Sequence, residues 1–93
     1  MYLHLGQEIT VTKEDIVGIF DLDTTTVSKH TRNYLKKAEE EGKIVNVSEE
    51  LPKSFILCNK AKKGKLDRII YLSQISTATL LKRSSEIKTL LKN

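Results

Sequence analysis

Apolar and polar residues alternate in the first part of the chain, and this pattern predicts three short strands. Residues 2–5 and 8–12 each alternate with a period of two, and the Gly6-Gln7 dipeptide between them predicts the turn of a β-hairpin. The β-branched run 16–20 predicts a third, buried strand that ends in the turn 21–23. The chain therefore begins with a predicted hairpin followed by a core strand.

A helix is predicted next, from about residue 25 to residue 41. The threonines at 24–26 offer hydroxyl groups that can cap its first turn. Its inward-facing stripe recurs at helical spacing and consists of Val27, Thr31, Tyr34, Leu35 and Ala38. Gly42 stands where a left-handed residue would end the helix, so the chain is expected to turn back there.

Three further strands are predicted after this helix. The apolar residues within 44–47 indicate a fourth strand, and the polar segment 48–52, which ends in proline, indicates a loop. Residues 54–58 and 69–72 predict a hairpin, because both are apolar and only soluble residues separate them. The tip of this hairpin, residues 59–68, is predicted to be a long basic loop.

A second helix is predicted at the end of the chain. Ser76 or Thr77 can cap it, and its apolar residues share one stripe. We expect residues 84–93, the end of this helix, to fray. The order of strands and helices predicts a single α+β domain with a small, mainly antiparallel sheet, one central helix and a C-terminal helix. One face of such a sheet and its edges need cover, so we expect neighbouring subunits to provide it.

Positive charge is concentrated in the last third of the chain. The net charge is +4, yet residues 1–58 hold seven basic and ten acidic residues, whereas residues 59–93 hold nine basic and two acidic ones. The predicted tip contains one acidic residue, Asp67, and five basic ones: Lys60, Lys62, Lys63, Lys65 and Arg68. A tip with several cations gains from phosphate contact through counterion release. A solvated lysine-rich loop that binds nothing is the alternative.

Other cations are weaker candidates for a phosphate site. Lys82 and Arg83 form a second cluster on the last helix, and Lys53 precedes the predicted hairpin. The central helix carries a basic ridge made of Lys29, Arg32 and Lys36. Because the glutamates at 39–41 follow immediately, we interpret this ridge as a solvated face.

Catalytic, metal-binding and membrane-spanning roles have no support in the sequence. Cys58 is the only cysteine and fits a buried strand position, and the two scattered histidines lack metal-ligand spacing. Asp21 and Asp23 fit a turn and a helix cap, and no phosphate loop or nucleophile motif is present. The longest uncharged run, 69–81, is shorter than the roughly 20 residues of a spanning helix, and the chain start lacks the pattern of a secretion signal. We therefore expect a cytoplasmic protein that is not an enzyme and has no cofactor or metal.

Four segments carry recognisable motifs: MYLHLG at 1–6, IFDLDTTT at 19–26, LPKSFI at 51–56 and LSQIS at 72–76. They resemble the RemA/RemB family of extracellular matrix regulators, formerly a domain of unknown function, and FDLDTTT is typical of its RemB branch. The resemblance covers about residues 1–83, which we take as the regulatory domain. It implies DNA-binding transcriptional control of biofilm matrix genes by ring-shaped oligomers whose subunits resemble the LytTR DNA-binding domain.

The resemblance also places the DNA-contacting arginines of the RemA branch on this sequence. By the match of the flanking strands, they fall near Asp15 and near Glu50 and Leu51, none of which is basic. Lys13 and Lys53 are the nearest cations. The basic tip must then supply the phosphate contacts, or the protein does not bind DNA strongly by itself.

Two functions follow from the charge pattern and the resemblance together. The first is a transcriptional regulator that binds double-stranded DNA as a homo-oligomer, for which a ring is one arrangement. Its phosphate contacts would come from Lys60, Lys62, Lys63, Lys65 and Arg68, with Lys53, Lys82 and Arg83 as lesser contributors. The second is an interaction module that co-assembles with a DNA-binding homologue and does not itself bind DNA strongly.

Overall fold

The computed structural model describes residues 1–22 and 28–91, with side chains in the last helix described as far as residue 84. Six of the eight predicted elements lie close to their expected positions, and the two strands of the long hairpin are longer than expected. In chain order the described residues form β1 (Tyr2–Gly6), β2 (Ile9–Thr12), a short 3-10 turn (Lys13–Asp15), β3 (Ile16–Asp21), α1 (Lys29–Glu40), β4 (Ile44–Asn46), β5 (Ser54–Lys62), β6 (Lys65–Ser73) and α2 (Thr77–Leu91).

The strands form two sheets. β1 and β2 make a two-stranded antiparallel sheet, and the other four strands form a sheet in the order β3-β5-β6-β4. β5 pairs antiparallel with both β3 and β6, whereas the short edge strand β4 runs parallel to β6. The predicted α+β class with a mainly antiparallel sheet and two helices is confirmed, and the likeness to the LytTR domain stays a prediction.

Both faces of the larger sheet are covered by the chain itself. On one face, Ile56, Cys58 and Tyr71 pack against the β1–β2 hairpin and against Leu80 of α2. On the other face, a smaller cluster forms around Ala38 of α1 and includes Phe55 and Ile70. The second face therefore has cover from within the chain, which the sequence pattern did not show because it does not tell where the first hairpin and the last helix pack. Cover of the sheet edges by neighbouring subunits stays a prediction.

Helix α1 is capped by a serine at its start and followed by a left-handed glycine at its end. Its cap is Ser28, whose hydroxyl oxygen accepts a hydrogen bond from the backbone N–H of Thr31 at 3.1 Å. The threonines predicted to cap the helix, at 24–26, lie outside the described residues. Gly42 has φ +71° and follows the helix end, which confirms its predicted left-handed role.

Two other boundaries also shift slightly. The first hairpin turns at residues 7–8, because β1 extends through Gly6. β4 ends at Asn46, one residue before Val47. Helix α2 continues to Leu91, and fraying of its last residues stays a prediction.

The basic tip of the long hairpin is not a loop. β5 and β6 contain nine residues each and stay paired as far as Lys62 opposite Lys65. Only Lys63 and Gly64 form the turn, and both have positive φ, +50° and +79°, as a two-residue hairpin turn requires. The predicted ten-residue loop is therefore wrong, because the strands continue past the core, where no apolar alternation marks them.

The base of this hairpin is held by two buried serines. Ser54 and Ser73 face each other across the first pair of the ladder, and both are fully buried. The Ser73 hydroxyl donates to the carbonyl of Leu5 at 2.6 Å, and the Ser54 hydroxyl donates to the carbonyl of Ile75 at 2.8 Å. These bonds tie the hairpin to β1 and to the segment before α2, so its opposite end projects from a fixed base.

Candidate nucleic-acid interface

The outer part of the β5–β6 hairpin, residues 59–68, is called the ribbon below. Because side chains alternate along a strand, its two faces continue the two faces of the sheet. Lys60 and Lys62 follow Cys58 on the face of the larger core cluster, and Asp67 and Lys65 lie opposite them. The other face, on the side of α1, carries Asn59, Ala61, Leu66 and Arg68. The ribbon therefore has a lysine face and a mixed apolar and polar face.

Three lysines crowd the end of the ribbon. Lys62 and Lys65 are direct cross-strand partners, and Lys63 lies in the turn between them. All three are exposed, and none forms an ion pair with another described residue. Like charges placed directly opposite each other are destabilising. A bound polyanion would relieve this repulsion, so the end of the ribbon is electrostatically suited to phosphate.

Lys60 lies further back on the lysine face and is partly engaged. Its ammonium nitrogen is 5.4 Å from the ring centroid of Tyr71, a cation–π contact. A hydrogen bond with the Tyr71 side chain raises the pKa of Lys60 above its ordinary value, with a smaller contribution from the charge of Asp15. Lys60 therefore stays cationic at neutral pH and is oriented by the body of the protein.

The remaining charged residues of the ribbon have partners of their own. The carboxylate of Asp67 pairs with the ammonium of Lys43 at 3.4 Å, which comes from the segment before β4. Arg68 donates from Nε to the side-chain oxygen of Asn59 at 3.2 Å. The one carboxylate of the ribbon is thus within reach of a cation from outside the ribbon, and the three lysines at its end remain available.

The other predicted contributors are not brought to the end of the ribbon. Lys53 precedes the first residue of β5 while Lys62 is its last, and nine extended residues span roughly 30 Å. Arg83 lies on α2 and donates to the carbonyl of His4 at 3.3 Å. Lys82 is exposed beside it on the same helix, which packs against β1 and β3. Of the eight predicted residues, the structure groups the five in the ribbon.

The positions where the family resemblance implies arginines lie near opposite ends of β3. Asp15 ends the 3-10 turn before β3, beside the pair that Ile16 forms with Cys58. Glu50 is exposed in the loop before β5, near the other end of that strand, and the neighbouring Leu51 is 90% exposed. A single chain therefore does not join these positions into one surface.

Sequence reasoning missed the residues that support the ribbon from outside. Tyr71 and Lys43 reach it from β6 and from the segment before β4. Lys43 also lines a cavity of about 230 Å³ between α1 and β6, together with Tyr34, Lys37, Ala38, Glu41, Arg68 and Ile70. The hydropathy pattern could not have found Lys43, because it does not show that β4 pairs parallel to β6. Tyr71 was missed because the pattern did not show that the β5–β6 pairing continues past Cys58.

The chemistry of Cys58 and of the acidic residues does not indicate a reactive centre. Burial raises the pKa of the Cys58 thiol to about 11, so it is protonated at neutral pH and a poor nucleophile. Among the side chains described, those of residues 1–22 and 28–84, no three His, Cys, Asp or Glu come together as a metal site would require. Over residues 1–22 and 28–91, no helix has the length and apolar character needed to span a membrane.

Comparison with known proteins agrees with the motifs read from the sequence. The family described as RemA-like, extracellular matrix regulatory protein A-like, matches residues 2–83. The chain is also 36% identical over 84 residues to extracellular matrix regulatory protein B of Bacillus subtilis (strain 168), a match that covers 90% of both chains. The predicted resemblance is confirmed, and the protein belongs to the RemA-like family of extracellular matrix regulatory proteins.

Proposed function

We propose that the protein is a cytoplasmic transcriptional regulator of extracellular matrix genes that binds double-stranded DNA as a homo-oligomer. The observation that carries this proposal is the group of three exposed lysines, Lys62, Lys63 and Lys65, at the end of a regular two-stranded ribbon. Membership in a family of extracellular matrix regulatory proteins supports the regulatory role.

Counterion release supplies the driving force. Each phosphate that a lysine neutralises releases condensed cations from the duplex, and the logarithm of affinity falls by about 0.9 per contact for each tenfold rise in salt. Three contacts from one ribbon give weak binding. Several ribbons on one oligomer make the later contacts intramolecular, which raises the overall affinity without any new contact.

The other predicted cations have secondary roles in this proposal. Lys60 and Arg68 lie at the base of the ribbon and would contact phosphates at the edge of the site. Lys53, Lys82 and Arg83 lie away from the ribbon, so they would contribute only where DNA crosses from one subunit to the next.

A fluorescence anisotropy titration at several salt concentrations tests the proposal. In the ribbon variant, Lys62, Lys63 and Lys65 are replaced by alanine. In the matched control, Lys29, Arg32 and Lys36 on α1 are replaced, which removes the same charge from an exposed helix face. We expect the ribbon variant to lose affinity at low salt and its salt slope to fall by about 2.7 for each engaged ribbon, whereas the control keeps both. Equal losses in the two variants, or no binding by the wild type at low salt, would remove the mechanism.

A second candidate function is co-assembly with a DNA-binding homologue. It is favoured by the carboxylates at Asp15 and Glu50, where the family resemblance places arginines. The edge strand β3 offers a surface for such assembly, because its side chains Val17 and Phe20 are 53% and 44% exposed. Native mass spectrometry of the two proteins expressed together distinguishes the functions: mixed particles support co-assembly, and purely homomeric particles contradict it.

A further inference from the structure

The apolar residues on the second face of the ribbon have no role in the core. Ala61 and Leu66 face each other across the ladder, next to the pair formed by Lys62 and Lys65. Leu66 is 75% exposed and Ala61 is also exposed. An apolar pair held in solvent beside three lysines is unnecessary for folding and is suited to a partner that is both anionic and partly apolar.

This face is open only at the end of the ribbon. Further back on the same face, Ile70 is buried in the cluster around Ala38 of α1, and Arg68 lines the cavity beside that helix. Arg68 and the side chains beyond it on this face, Leu66 and Ala61, are exposed. A partner can therefore reach Ala61 and Leu66 without displacing α1.

The dimensions of the open end match one feature of DNA. From Ala61 to the turn at Gly64 is three residues, or about 10 Å at roughly 3.4 Å per residue. The major groove of B-DNA is about 8.5 Å deep and about 12 Å wide and admits a two-stranded ribbon, whereas the minor groove, about 6 Å wide, admits one only when the duplex is deformed. Lysine stems on the opposite face are long enough to turn their ammonium groups toward the phosphates of the groove walls.

We propose that the end of the ribbon inserts into the major groove with Ala61 and Leu66 facing the base edges, where Leu66 contacts the C5-methyl group of thymine. This inference rests on the proposed DNA-binding function and adds the part of the protein that reads sequence. The thymine methyl is the apolar group that the bases display in that groove, so it is the feature a leucine can recognise. The lysines position the ribbon, and the apolar pair provides the preference for thymine.

Replacing thymine by deoxyuridine tests the contact, because it removes the methyl group and leaves every hydrogen-bonding group in place. A preferred duplex is first selected from a random library with the full-length protein, and its thymines are then replaced. We expect the wild type to lose affinity about fourfold for each contacted methyl group, which corresponds to about 0.8 kcal/mol. Leu66→Ser should bind the thymine duplex more weakly and should show no further loss with uracil.

Leu51→Ser is the matched control, because it changes an exposed leucine near the opposite end of the sheet. This variant should keep the full sensitivity to uracil. Equal wild-type affinity for the two duplexes, failure of the library to yield a preferred sequence, or a Leu66→Ser variant that is as sensitive to uracil as the wild type would each overturn the inference. A change in oligomer size on Leu66→Ser with an unchanged uracil effect would assign the leucine to a subunit contact instead. In all these cases a lysine-dependent salt slope would leave the proposed function standing.

Discussion

The two ends of the β5–β6 hairpin share one ladder and differ in everything that surrounds it. The register is continuous from Ser54 opposite Ser73 to Lys62 opposite Lys65. At the inner end both faces are buried, with Ile56 and Ile70 almost fully covered on opposite sides. At the outer end every side chain from 61 to 66 is exposed. The same backbone pairing thus serves as the core of the domain at one end and as a projecting arm at the other.

The buried inner end therefore provides the stability of the hairpin, and the exposed outer end provides the surface proposed for binding. An isolated two-stranded hairpin is marginally stable at best in water. The ribbon persists because it continues strands that are fixed by the core and by the buried serines at their base. Substitutions at the inner end should therefore affect global unfolding, and substitutions at the outer end should affect local opening or binding.

The largest expected effect comes from opening a cavity at the inner end. Ile56→Ala removes a fully buried side chain from the larger core cluster and should lower the free energy of unfolding by about 2–5 kcal/mol. Leu66→Ala at the exposed end should change it by less than about 0.5 kcal/mol. Urea denaturation followed by circular dichroism measures both. Similar losses in the two variants would show that the ribbon belongs to the cooperative core.

The contrast between the two ends also explains which parts of the fold could be predicted. Residues 54–58 and 69–72 were assigned correctly because burial requires apolar side chains there. The sequence predicts a loop at residues 59–68, because beyond the core both faces of a strand are free to be polar, so the alternation disappears while the pairing continues. Gly64 marked the turn correctly, but nothing in the pattern limited that turn to two residues.

The positive charge of the candidate site could be predicted from the sequence, but the residues that contact the ribbon from outside could not. The lysines of the ribbon were visible from composition alone. Tyr71, which contacts Lys60, lies on the antiparallel partner strand β6. Lys43, which pairs with Asp67, reaches the ribbon through a parallel pairing that no local signal announces. Lys53 is a candidate because it is the cation nearest to Glu50 and Leu51, where the family resemblance implies an arginine, and extended strand geometry places it at the far end of β5 from the ribbon.

Cys58 lies where the buried part of the hairpin meets the ribbon, and it should make the free energy of unfolding depend on pH. This residue is fully buried, and Lys60 follows it on the same face. Its pKa is raised from 9.0 to about 11, so the stabilising effect of the protonated thiol is complete below pH 9 and is lost as the pH rises toward 11. Over that range the wild type should lose about 2 kcal/mol of unfolding free energy relative to Cys58→Ala. Parallel denaturation curves at pH 8 and pH 10.5 compare the two proteins, and a constant difference between them would contradict the prediction.

A smaller effect is expected from the turn of the ribbon. Gly64 has φ +79°, and an alanine in that left-handed conformation costs about 1 kcal/mol. Because the ribbon lies outside the core, Gly64→Ala should speed amide hydrogen exchange about fivefold for ribbon residues and leave the amides near Ile56 unchanged. Lys63→Asn is the matched control, since asparagine tolerates the left-handed conformation that Lys63 adopts at φ +50°. Faster exchange throughout the sheet would mean that the ribbon and the core open together.

The smallest expected change in stability comes from substitutions at Lys65, which should stabilise the ribbon and at the same time weaken DNA binding. Lys65→Glu replaces the repulsion across the pair with Lys62 by attraction and should stabilise the ribbon by about 0.2–1 kcal/mol at low salt. Lys65→Gln, which only removes the repulsion, should give part of this gain, and both gains should shrink in 1 M salt because the charges are exposed. The same two variants should bind DNA more weakly, with Lys65→Glu the weaker. If the lysines served only solubility, the gain in ribbon stability would not be accompanied by a loss of DNA affinity. A more stable ribbon with undiminished DNA affinity would therefore count against a binding role for Lys62, Lys63 and Lys65.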